Sequence, residues 1–150
     1  MAQIDRSIVV VRSILPIVAV VVLAAGMALH SASVQAKSSQ LKPQKSWSGR
    51  VPLGVLPPLQ SSLATQEDFR RVWAQCQVKG TVPDVDFERR LVLVAVRRGS
   101  LVRFQRLTLD GGNLSTDVVV TPDMPPYMTC AIVLVDRAGI ARVNGAPIGR

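Results

Sequence analysis

The longest uninterrupted apolar stretch stands near the start of the chain. Residues 14–29 carry no charge, Arg6 and Arg12 precede them, and a more polar segment, residues 30–36, closes with Val34-Gln35-Ala36. Positive, then apolar, then small residues is the order of an export signal, and it predicts a signal peptide over residues 1–36 with cleavage after Ala36. If it is not cleaved, residues 13–29 would act as a tether near the short end for a membrane span, with the arginines holding the cytoplasmic side. The remainder is then expected to be exported, periplasmic or extracellular, or anchored to the inner membrane by its N-terminal segment.

Beyond this run the pattern becomes that of a folded domain. Residues 37–48 are polar, contain Pro43 and predict a flexible linker, so the domain is expected over residues 49–150. A first short strand fits within residues 46–56 and ends at Pro57-Pro58, because proline has no N–H to donate to a ladder. Thr65-Gln66-Glu67-Asp68 has the form of a capping box with Asp in the last place. Phe69, Val72, Trp73 and Cys76 follow at helical spacing, with Arg70 and Arg71 outside the stripe. This predicts a helix over residues 66–78, ended by Gly80 and Pro83.

The period then changes. Residues 91–96 are continuously apolar, as in a strand covered on both faces. Gly99-Ser100 predicts a turn into a second strand over residues 101–109, bulged near Gln105. Asp110-Gly111-Gly112-Asn113 is a hairpin signal, and residues 114–121 alternate. Residues 122–128 form a proline-rich loop, residues 130–135 another apolar strand, and Ala138-Gly139 and Asn144-Gly145 mark two further turns. The expected fold is α+β: one N-terminal amphipathic helix packed on an antiparallel meander of four to five strands.

Two cysteines, Cys76 and Cys130, both lie in the part expected to be exported. An even count in an oxidising compartment suggests one disulfide, with two buried thiols as the alternative. His30 is the single histidine, and it falls within the signal segment. A domain without histidine has no Ser-His or Cys-His nucleophile pair and no histidine acid–base catalyst. Two cysteines alone do not close a zinc site. No catalytic residue, metal or cofactor is therefore expected. Asp84, Asp86 and Glu88 alternate like the start of a calcium loop, but Arg89 stands where such a loop requires glycine. They read as an exposed approach to the next strand; a histidine-free hydrolase built on carboxylates is the alternative.

Lys and Arg number 18 against 10 Asp and Glu, a formal net charge of +8. Export makes nucleic acid an unsuitable partner, and the few aromatics offer no stacking platform. An acidic envelope polymer or a protein with an acidic surface fits better. A hairpin through Gly99-Ser100 would gather Arg97, Arg98, Arg103 and Arg106 into a docking patch, or equally into edge protection. Tyr127, beside Pro125-Pro126, is a further candidate contact.

Taken together, Phe69-Arg-Arg-Val-Trp73, Pro83-Asp-Val-Asp-Phe87, the strand from Leu91 to Gly99 and the closing Gly139-Ile-Ala-Arg-Val-Asn-Gly145 resemble a known kind of domain. The chain resembles uncharacterised exported small-domain proteins of the planctomycete type. More distantly it is similar to the PrcB-like domain, which is linked to stabilising a secreted protease complex. The resemblance covers most of the domain after residue 64, rests on structural motifs, and carries over no functional residue. The resulting expectation is a non-enzymatic binding or accessory domain of the cell envelope, acting through a protein–protein surface. A stabiliser or inhibitor of an envelope protease is its narrower form.

Overall fold

The computed structural model describes residues 38–54 and 61–148. The expected signal segment, residues 1–36, and the tether it contains lie outside the described residues. Among the described residues no helix is long and apolar enough to cross a membrane. In chain order the elements are β1 (Ser39–Gln40), β2 (Lys45–Pro52), β3 (Ser62–Leu63), α1 (Gln66–Gln75), β4 (Arg90–Arg98), β5 (Val102–Asp110), β6 (Asn113–Val120), β7 (Tyr127–Asp136), β8 (Arg142–Val143) and β9 (Ala146–Pro147).

These strands form two sheets, not one meander. One has the order β2-β7-β4-β3 and the other the order β1-β5-β6-β8-β9. The expected α+β fold is thereby corrected: the molecule is mostly β, with one short helix placed mid-chain. The burial pattern supplies the reason. Strands β4 and β7 are apolar on both faces, so each face needs a cover. Val92, Val94, Cys130, Ile132 and Leu134 pack under Phe69, Val72, Trp73 and Cys76 of the helix region. Leu91, Leu93, Val133 and Val135 pack against Leu107, Leu114 and Val143 of the second sheet. A helix of 10 residues covers one face only. The β5–β6 hairpin therefore leaves the first sheet and folds across the other face.

The polar stretch expected to be a linker holds β1 and the first half of β2. Strand β2 pairs along its length with β7, from Lys45 opposite Leu134 to Pro52 opposite Tyr127. Trp47 is drawn onto the helix face, with ring centroids 5.5 Å from Trp73 and 5.9 Å from Phe69. That aromatic contact, together with full backbone pairing, orders a segment whose composition looks like solvent-facing chain.

Local signals are otherwise followed closely. Thr65 caps α1, its hydroxyl oxygen accepting from the Asp68 backbone N–H at 3.1 Å. Asp68 in turn accepts from that hydroxyl at 2.8 Å. The helix stops at Gln75, earlier than the expected residue 78, through a Schellman motif. Gln77 N–H donates to the Ala74 carbonyl and Val78 N–H to the Trp73 carbonyl. Gln77 occupies the left-handed position, φ 46°, that glycine usually fills. Gly111 and Gly112, φ 51° and 79°, make the β5–β6 hairpin turn. Its register shifts between Phe104 and Arg106, at the expected bulge.

Candidate functional site

The four candidate arginines fall on two different sheets. Arg97 and Arg98 end β4, whose partners are β3 and β7, whereas Arg103 and Arg106 lie on β5, which pairs with β6 and β1. The hairpin expected to gather them is absent. Successive strand residues face opposite ways, so Arg97 follows the direction of Ala95 and Arg98 that of Val96. Arg98 donates to the Pro125 carbonyl at 3.4 Å, tying the end of β4 to the proline loop. Arg106 stands opposite Asp117 of β6.

A cation that the sequence pattern did not single out completes a different arrangement. Arg50 of β2 and Arg97 of β4 both register with Thr129 of β7 and flank it. Their Cα atoms are thus separated by two strand spacings, roughly 10 Å. The Arg50 guanidinium carbon lies 4.6 Å from the centre of the Tyr127 ring. Tyr127 is half-buried at the start of β7, so its ring serves as a platform for Arg50 more than as a free anchor. The only advance sign of this was a single arginine between Gly49 and Val51, which carries no periodic signal.

Strand β2 ends its sheet, so one row of its backbone groups has no partner strand among the described residues. Two hollows adjoin it. The first, about 540 Å³, is lined by Trp47, Gly49, Arg50, Val78, Lys79 and Thr129 among others. The second, about 400 Å³, opens between the sheets and is lined by Ser46, Ser48, Leu101, Arg103 and Phe104 among others. Trp47 and Ser48 border both hollows. Leu101 is 47% exposed there.

Beneath this edge the scaffold is tightly joined. Cys76 and Cys130 lie within disulfide distance, with Cα atoms 5.9 Å apart, linking the end of α1 to β7. Cys130 registers with Gly49 on one side and Val96 on the other. At the crossing between sheets, Asp123 accepts from the Thr121 hydroxyl and, at 2.9 Å, from the Ser100 backbone N–H. These hydrogen bonds, that from Thr121 foremost, lower its pKa from 3.8 to about 2.

Of the three alternating carboxylates, Asp86 has a structural duty. Asp86 accepts from the Glu88 backbone N–H at 3.1 Å, and its other oxygen lies 3.7 Å from Arg89 Nε. It shapes the turn into β4. Among the described residues no three His, Cys, Asp or Glu side chains converge as a metal site would require. Compared with known proteins, the chain matches no family model, no curated protein and no solved structure.

Proposed function

We propose that this is an exported, non-enzymatic binding or accessory domain that acts through a protein–protein surface, and that the open edge of β2 is that surface. The observation carrying the reading is an eight-residue edge strand set between two hollows. An exposed edge of this length is costly to leave bare, because it invites pairing with other chains. Lys45 and Pro52 blunt its ends, while the middle, Trp47 to Arg50, stays accessible. The paired cysteines agree with an oxidising compartment.

Photo-cross-linking from a benzoylphenylalanine at Ser48, in the cells that make the protein, tests this. A matched label at Asp84, on the exposed loop before β4, is the control. A discrete protein adduct from position 48 and none from position 84 is the expected result. Adducts of equal yield from both positions, or from neither, would refute the β2 edge as the binding surface.

A further inference from the structure

Resting on that reading, we infer that β2 takes up an extended acidic segment of another protein as an additional strand. Charge and backbone geometry point to the same occupant. The first hollow presents Arg50 and Lys79, the second presents Arg103, and no carboxylate lines either one. Among the described residues, the ion pairs join Arg71 to Glu67 and Asp68, and Arg89 to Asp86. Arg50, Lys79 and Arg103 are not in them. Asp123, which accepts from Thr121 and from Ser100 at the rim of the first hollow, keeps its negative charge, so two cations face one anion there. Among the described residues, the linings on both sides of the edge are thus net cationic.

The backbone separates a peptide from other polyanions. Unpaired N–H and C=O groups along an edge strand recur every two residues, roughly 7 Å, and another peptide backbone matches that repeat. An acidic polysaccharide or a lipid headgroup would engage the cations and leave the edge unpaired. The two hollows also set a side-chain pattern. Alternate residues of an added strand point to opposite faces, one set toward Arg50 and the hollow that Arg103 lines, on the face shared with Ser48 and Thr129, the other toward Trp47 and Val78 on the helix face. The segment that fits alternates acidic with apolar residues.

The test uses the full-length chain in mild detergent and a labelled peptide of alternating Glu and Val, matched to the eight residues of β2. Fluorescence anisotropy is expected to show saturable binding. Replacing Arg50→Gln and Arg103→Gln together should weaken it by roughly fivefold, as two solvent-accessible ion pairs would. Asp84→Asn should leave it unchanged. N-methylating alternate peptide nitrogens, in both registers, should abolish binding in one register only, because only one set faces β2. Equal unfolding midpoints for the variants confirm that the fold is retained. Equal affinity for both N-methylated peptides, for polyglutamate or for phosphatidylglycerol vesicles would overturn strand addition in favour of general polyanion attraction. Absence of peptide binding would overturn it too. If cross-linking from Ser48 still captures a protein in that case, the β2 surface stands and the acidic strand falls; if both fail, both readings fall.

Discussion

Gly49 of β2 and Cys76 at the end of α1 meet so closely that no side chain fits between them. A Cβ on Gly49 would lie 3.0 Å from the Cys76 carbonyl carbon and closer still to its oxygen. The helix end can sit on the sheet there because this position has no side chain, and the same contact brings Cys76 over Cys130. Gly49→Ala must therefore lift the end of α1 off the sheet. The expected cost is about 2 kcal/mol, as for overpacking a tight core, read as a lower denaturant midpoint.

A bond between Cys76 and Cys130, which lie within disulfide distance, would stabilise the fold by restricting the unfolded chain. It would close a sequence separation of 54 residues, for which the chain-entropy model gives about 4 kcal/mol. Cys76→Ala with Cys130→Ala, or reduction of the native protein, should lower stability by about 2–5 kcal/mol. Denaturant unfolding with and without a reductant measures it. No change on reduction would show that the pair is not bonded.

Gln77 offers the opposite sign. It holds the left-handed position of the helix terminus, φ 46°, where an L side chain costs on the order of 1 kcal/mol relative to glycine. Gln77→Gly should stabilise the protein by up to about 1 kcal/mol, after glycine's extra unfolded-state entropy is subtracted. A rise in thermal midpoint is the expected readout.

Asp123 provides a pH signature. Its pKa is depressed from 3.8 to about 2, so the Thr121 and Ser100 hydrogen bonds favour the charged form. The stabilising contribution of a carboxylate so depressed is fully present above its ordinary value and is lost as pH falls through its folded value. The window is thus between about 4 and about 2. An NMR titration of the Asp123 carboxyl should show a midpoint near 2, moving toward 3.8 in Thr121→Val. An unshifted midpoint in that variant would place the cause elsewhere.

The two-layer core can be probed at Leu93, which is fully buried between the sheets. Leu93→Ala should cost about 2–5 kcal/mol, depending on how far the sheets can close the space. A cost under 1 kcal/mol would mean that the second sheet does not press on this face.

Local instructions were legible because they act over a few residues. Thr65 and Asp68 announced the start of the helix, the Asp110–Asn113 turn announced its hairpin, and the bulge near Gln105 disturbed the alternation before any fold was known. The apolar runs in β4 and β7 even implied covering on both faces. What they did not say was that a second sheet supplies one of the covers. One helix and two doubly apolar strands leave a face unfilled, and that deficit is where the single-meander expectation failed.

By itself the sequence determined the Asp110–Asn113 turn, the helix cap, the approximate positions of β4, β5, β6 and β7 and the cysteine pairing partners available, since each depends on neighbours in the chain. Only the tertiary structure decided that Gly99-Ser100 carries the chain between sheets, which puts Arg97 and Arg98 on one sheet and Arg103 and Arg106 on the other. It also decided that the polar β2 forms an edge and that Arg50 comes to rest over Tyr127. Those outcomes rest on which apolar faces find one another across long separations, and local propensity does not encode that choice.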